Sequence, residues 1–232
     1  MKAIRNNIPN AITSLNLLFG CLACIAAFHC SDTMCGTDLK GYQWAYIFIA
    51  LAAVADFFDG LVARLLHAVS NIGAELDSLA DLVSFGLAPA LVLYNIMLQQ
   101  GAGHWALVAL ILPVFGAIRL ARFNVDTNQT TTFTGLPIPA NAIFWIGFTS
   151  WYATYPTPLW MVIVLIVALS LLMVCNLRMF SLKMHNLSSL KQNWAQYLQV
   201  VATVAFLVLM GLKGLAPAIM LYVLLSVIKR EK

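Results

Sequence analysis

Four aspartates lie within 26 residues, at positions 56, 59, 77 and 81, inside sequence that is otherwise apolar. The first pair sits in Asp56-Phe-Phe-Asp59-Gly60-Leu-Val-Ala63-Arg64, the second in Gly73-Ala-Glu75-Leu-Asp77-Ser78-Leu-Ala-Asp81. On a helix, residues three or four apart share a face. Asp56 and Asp59 therefore point the same way, with Ala63 one turn on, and Gly73, Asp77 and Asp81 form a stripe on the next helix. The polar turn around Ser70-Asn71 makes the two helices an antiparallel hairpin, so the acidic faces meet. Four carboxylates brought together repel, and Arg64 alone is too little compensation. Divalent cations are the natural counter-charge. An oxygen-only set without His or Cys selects hard ions such as Mg²⁺, Mn²⁺ or Ca²⁺. Gly60, Ala63 and Gly73 leave room for a ligand to reach the backbone. The plainer alternative is helix packing through small residues, with the aspartates lining a polar cavity.

The elements that must hold this hairpin are membrane helices. Of 232 residues, 62% are hydrophobic and only 9% charged, and the mean hydropathy is +0.87. Water-soluble domains carry about 25% charged residues, so the bilayer must be the solvent. A spanning helix needs roughly 20 mostly apolar residues. Such stretches lie near 11–29, 43–65, 77–98, 104–122, 138–155, 158–176, 195–212 and 214–229. The sequence predicts an all-α integral membrane protein with about eight transmembrane helices. The apolar runs are continuous rather than alternating, which argues against a barrel. No hydrophilic stretch marks off a second domain, so residues 1–232 read as a single transmembrane catalytic domain. The first stretch has the basic start of a signal peptide but is too long for one, and Pro9-Asn10, Thr13 and Asn16 are unusual in a discarded leader.

Charge supplies the orientation. With the N-terminus in the cytoplasm and eight alternating spans, the inner segments hold Lys2, Arg5, Arg64, Arg119, Arg122, Arg178, Lys183, Lys191, Lys229, Arg230 and Lys232. The outer segments hold only Lys40 and Lys213. The positive-inside rule thus accounts for the net charge of +4, and no nucleic acid is implied. Both termini, and the acidic hairpin, are expected on the cytoplasmic side of the cytoplasmic membrane. Cys21 and Cys24 read as packing residues. Cys30 and Cys35 share the first outer loop, where a disulfide is open but unproven by sequence. His67 follows Arg64 at the inner edge and reads as interfacial, and His29, His104 and His185 lie at span ends with no partner visible. Trp44, Tyr46, Trp151, Tyr152 and Tyr155 read as interfacial belts.

The residues around the aspartates match D-x2-D-G-x2-A-R-x8-G-x3-D-x3-D without a departure. This resembles the signature of the CDP-alcohol phosphotransferase family. The resemblance implies a six-helix core, here about residues 8–176, that usually dimerises, and a cytoplasm-facing cavity. The extra C-terminal helix pair, about 195–229, would be an addition to it. It implies that Asp56, Asp59 and Asp77 ligate a pair of divalent cations, Mg²⁺ or Mn²⁺, with Asp81 at the metal site as general base. The CDP group would sit around Gly60, Ala63, Arg64 and Gly73.

The flanking sequence bears on the acceptor alcohol. Ser78-Leu-Ala-Asp81-Leu-Val-Ser84-Phe85-Gly86-Leu-Ala-Pro89, Pro9-Asn10-Ala-Ile-Thr13-Ser-Leu-Asn16, Arg119-Leu-Ala-Arg122-Phe123-Asn124 and Gly135-Leu-Pro137-Ile-Pro139-Ala-Asn141 are together similar to the phosphatidylserine synthase branch of that family. The substrates implied are CDP-diacylglycerol and L-serine, in contact with membrane lipids. A serine carboxylate calls for a bidentate guanidinium, which Arg119 and Arg122 could supply; alternatively they anchor a helix end. Glu75 could meet the ammonium or be an exposed helix-start carboxylate. Thr13, Asn16 and Asn124 line the cavity, or cap and pack. The rivals are the same chemistry with glycerol 3-phosphate, inositol phosphate or choline, a divalent-cation transporter, and a structural membrane subunit. Phosphorylated acceptors would call for more basic residues than are visible, and no inverted repeat supports a transporter.

Overall fold

The computed structural model describes residues 2–68, 70–125, 133–180 and 193–228. Lys183, His185, Lys191, Lys229, Arg230 and Lys232, invoked above, lie outside the described residues, as do the side chains of Lys2, Arg5 and Arg178. Among the described residues the architecture is helical. Its elements are α1 (Lys2–Phe28), α2 (Gly41–Leu65), α3 (Asn71–Gln99), α4 (Gly103–Val125), α5 (Ile138–Tyr152), α6 (Leu159–Val174), α7 (Trp194–Met210) and α8 (Leu215–Ile228). These rods coincide with the eight apolar stretches of the sequence. A two-residue antiparallel ladder pairs Phe133–Thr134 with Arg178–Met179.

The chain divides into two compact units, residues 1–124 and 125–232. In the first, α1 and α2 pack along their length through small residues: Ala23, Ala26, Ala27, Ala45, Ala52 and Ala55 are all buried. Small side chains let helices approach closely where lipid offers no hydrophobic drive. Gly41 makes the return possible, because a Cβ there would collide with the carbonyl oxygens of Ala26 and His29. The 29–40 connection is held by a Thr33–Lys40 bridge and by a 3.6 Å contact from His29 to Asp32, a partner that sequence reading missed. Cys30 is buried, Cys35 is exposed, and both thiols are free, so the disulfide left open above is not formed.

Helix α3 is continuous but not uniform. An α segment, Asn71–Asp81, passes into a π-helical turn, Leu82–Leu87, and back to α at Ala88–Gln99. It starts six residues before the apolar stretch that begins at 77, in keeping with the Gly73–Asp77–Asp81 stripe, and Ser70 caps it: the Ser70 hydroxyl accepts from the Gly73 N–H at 3.1 Å. Asp77 and Asp81 are therefore well inside the helix rather than at its tip.

In the second unit, α5 stacks Phe144, Trp145, Phe148 and Tyr152 into its own core. The Trp145 indole N–H is satisfied by Asn141 Oδ1 at 3.0 Å. Helices α7 and α8 fold back on one another; Gln199 Nε2 donates to the Ala218 carbonyl at 2.9 Å. Trp151 stacks beside Tyr155, and Lys213 lies 4.7 Å over the Tyr155 ring, a cation–π contact; Tyr46 and Tyr152, read above with them as belt residues, are buried instead.

Large apolar side chains face outward, among them Ile25, Phe28, Val54, Phe57, Val208 and Leu209. A protein in water does not expose so much apolar surface, which makes this an integral membrane protein. Among the described residues five segments are long and apolar enough to cross a bilayer: Asn7–Phe28, Gly41–Leu65, Asn71–Gln99, Gly103–Val125 and Trp194–Ile228. The last is α7 and α8 doubled back. By length alone the qualifying segments number five, not eight.

Candidate active site

The hairpin of α2 and α3 brings its acidic faces together as the spacing required. One oxygen from each of Asp56, Asp59 and Asp77 lies within 4.8 Å of the others. Asp59 is buried, and Asp56 and Asp77 are half-buried. Two oxygens, Asp59 Oδ2 and Asp77 Oδ1, are buried with no hydrogen-bond donor among the described residues. Buried acceptors are normally paired, so these two lone-pair donors from opposite helices fit a cation. The chemistry of the set agrees: all oxygen, anionic, without His or Cys, as hard divalent ions prefer.

Asp81 stands beside this set rather than in it. Its Oδ1 accepts from Asn16 Nδ2 at 3.3 Å. Asn16 and Thr13 are both buried on the face of α1 that closes the back of the cage. The Thr13 hydroxyl donates to the Pro9 carbonyl at 3.1 Å and lies beside Asp59.

The small residues behave differently from one another. A Cβ on Gly60 would meet nothing within 4 Å, whereas one on Gly73 would come within 3.0 Å of Asn10 Oδ1. Tight packing therefore does not explain Gly60. Ala63 is half-buried one turn further on. Exposed Arg64 turns back along α2, its Nε donating to the Gly60 carbonyl at 2.9 Å. Open backbone and a guanidinium thus lie side by side at the rim of the cage.

A second polar group forms where the end of α4 meets α3. Asn124 Nδ2 donates to Ser78 Oγ at 3.1 Å and to Glu75 Oε2 at 3.4 Å, and Ser78 Oγ is also 3.3 Å from Asn124 Oδ1. Sequence reading named Glu75 and Asn124 separately but not their pairing through Ser78. Arg119 is half-buried and Arg122 exposed on the same helix. Ser84 was also missed. Its hydroxyl donates to the Asn16 carbonyl at 3.0 Å; in the sequence Ser84 stands within a family-like stretch and in the polar series Ser78, Asp81, Ser84 at intervals of three, but neither gives it a partner.

Comparison with known proteins adds an independent finding. The family model described as CDP-alcohol phosphatidyltransferase matches residues 6–153, well over half the chain. The CDP-diacylglycerol–serine O-phosphatidyltransferase of Bacillus subtilis is 39% identical over 134 residues, 58% of this chain and 70% of that protein. The protein of that name from Mycobacterium tuberculosis is 34% identical over 229 residues, 94% of this chain and 74% of its own length. The one from Methanocaldococcus jannaschii is 38% identical over 149 residues, 64% of this chain and 63% of that protein.

Proposed function

The chain belongs to the CDP-alcohol phosphatidyltransferase family, and from that premise we propose that it transfers the phosphatidyl group of CDP-diacylglycerol to the hydroxyl of L-serine. The products are phosphatidylserine and CMP. The observation that carries the chemistry is the three-carboxylate cage with two undonated oxygens; the similarity to serine transferases supports the acceptor.

In this reading Asp56, Asp59 and Asp77 hold the divalent cations, Mg²⁺ or Mn²⁺, as a pair. When bound, such ions would offset charge on the phosphate oxygens and on the departing CMP. Gly60 and Ala63 leave the space the nucleotide enters, Arg64 contributes positive charge there, and Gly73 lets the start of α3 approach. Asp81 takes the proton of the serine hydroxyl as its oxygen forms a bond to the lipid-side phosphorus. The pyrophosphate P–O bond breaks, and its electron pair leaves with CMP. Little covalent work falls to the protein; positioning and electrostatics carry the rate. The Glu75–Ser78–Asn124 group supports an ammonium site, and Arg119 with Arg122 a carboxylate site, on the two sides of the acceptor.

The same reading makes the protein a homodimer of the cytoplasmic membrane, with eight crossings, both termini inside and the cage open to the cytoplasm. The test is CMP release from CDP-diacylglycerol given one alcohol at a time: serine, glycerol 3-phosphate, inositol phosphate or choline, with and without Mg²⁺ or Mn²⁺. Serine alone should support turnover, and only with a cation. Release with another alcohol would replace the acceptor; cation flux without CMP release would replace the enzyme with a transporter.

A further inference from the structure

We infer that Asn16, Ser84 and the π-helical turn of α3 form a positioning device for Asp81, tying down one carboxylate oxygen so that the other faces the acceptor hydroxyl. This rests on the reading of Asp81 as the proton acceptor.

Three observations converge on Asn16. Its side-chain Nδ2 donates to Asp81 Oδ1 at 3.3 Å, across 65 residues of sequence. Its backbone carbonyl accepts from Ser84 Oγ at 3.0 Å. Both Asn16 and Ser84 are wholly buried, at 0% exposure. One residue of α1 is thus gripped by two residues of α3 that flank the start of an irregular turn. One turn further along α1, a Cβ on Gly20 would collide with Ser84 Oγ and lie 3.0 Å from the Ser84 Cα. The two backbones are in near contact, so the grip has little slack.

The π-turn lies where the two contacts are made. It begins at Leu82, the residue after Asp81, and contains Ser84. The helix therefore changes from α to π between the two residues that hold Asn16, while Asp77 and Asp81 stay in the α-helical segment before it. Such turns are rare and occur mostly at functional sites.

A purely structural Asn16 fits less well. Its Oδ1 is buried with no donor among the described residues. Packing would be served by an apolar side chain without that unpaired acceptor. The amide is retained for what its nitrogen holds.

The experiment is a double-mutant cycle in the purified full-length protein, with Asn16→Ala, Asp81→Asn and the pair. The readouts are kcat, KM for CDP-diacylglycerol and for serine, and Mn²⁺ affinity by electron paramagnetic resonance. Losing a general base costs about 10²–10⁴-fold, which leaves residual turnover measurable with labelled nucleotide. Asn16→Ala should lower kcat by about 10–100-fold, with Mn²⁺ affinity and both KM values within about threefold. In the Asp81→Asn background it should cost no more than about twofold, because residues acting as a unit are not additive. Ser84→Ala should show a smaller kcat loss that also disappears in that background. If Asn16→Ala does not fold, Asn16→Ser runs through the same cycle. Additive losses, an unchanged kcat, or a loss that follows Mn²⁺ affinity would overturn the inference. Normal turnover by Asp81→Asn alone would instead overturn the base assignment beneath it.

Discussion

Gly60 and Gly20 give opposite expectations for the same substitution, and the contrast separates ligand space from packing. Gly60 lies within α2, and an added Cβ finds no heavy atom within 4 Å. Alanine is favoured over glycine in a helix interior by about 0.8–1.0 kcal/mol. Gly60→Ala should therefore leave the protein as stable or raise its melting midpoint by about 2–4 °C. If the nucleotide enters that space, the same methyl group should raise KM for CDP-diacylglycerol at least about tenfold, equivalent to about 1.4 kcal/mol of binding. Gly20→Ala works the other way. Its Cβ would collide with Ser84 Oγ, and the Ser84 backbone cannot retreat as a flexible side chain would. Overpacking of this kind costs about 1–3 kcal/mol, so its midpoint should fall. The assays are CMP release against CDP-diacylglycerol at saturating serine, and thermal unfolding in detergent. A lowered midpoint for Gly60→Ala would show that Gly60 is a packing residue after all, and an unchanged KM would remove it from the nucleotide site.

Removing Asp77 from the cage, as Asp77→Asn, should cut CMP release at least about 100-fold while the protein still folds; near-normal turnover would remove the metal role. Chelation with EDTA should abolish turnover and Mg²⁺ or Mn²⁺ restore it, with a matching rise in the thermal midpoint; a midpoint indifferent to both ions would argue against the cage as their site. Asp59→Asn should raise the midpoint of the metal-free protein and blunt that rise, and a lowered metal-free midpoint would contradict it. In intact cells a membrane-impermeant maleimide should label exposed Cys35, the mark of an outer loop, whereas Cys30 should resist it. Burial, with smaller opposing effects from Gln99 and Lys40, pushes the Cys30 thiol up to about 11. The reactive thiolate is therefore scarce at pH 7 and grows only as the pH climbs towards that value. Labelling from the cytoplasmic side alone would invert the topology.

What the sequence made legible was what periodicity and composition encode locally. Apolar runs placed the rods to within a few residues, and three-and-four spacing put Asp56, Asp59 and Asp77 on facing surfaces. The apolar run of α3 begins later than its helix because the first turn, Asn71 to Glu75, is polar, but the Gly73–Asp77–Asp81 stripe already carries the helix back to the turn at Ser70-Asn71. The capping bond of Ser70 is what the turn reading does not contain. The Asn16–Asp81, Ser84–Asn16 and Asn124–Ser78 pairings join residues 65, 68 and 46 apart in sequence. No local pattern reports such contacts, since they depend on how helices are rotated against each other. The π-turn is invisible for a related reason: Leu-Val-Ser-Phe-Gly-Leu carries no local signal for widening, and Ser84 within it is set against the Gly20 backbone of a distant helix. The openness of Gly60 was anticipated, but small residues suit packing equally well, and only the neighbouring atoms separate the two.

The physical weight of the site rests on the cost of its emptiness. Two unit charges 4.8 Å apart repel by about 3.5 kcal/mol at an effective dielectric of about 20. With every carboxylate ionised, three such pairs would amount to about 10 kcal/mol, comparable with the whole net stability of a folded domain, about 5–15 kcal/mol, so the three sit together only where cations or protons offset them. Asn16 and Thr13 are neutral, and exposed Arg64 brings a single positive charge at the rim, so these neighbours do not cancel three carboxylates. Helices α2 and α3 hold the carboxylates close because the Ser70 cap and the small-residue seam with α1 fix them there, whatever the local repulsion. That stored repulsion favours divalent cations over water as occupants of the cage. It also means that stability and activity should trade off at these positions: a substitution that relieves the repulsion removes the reason for the ions to bind.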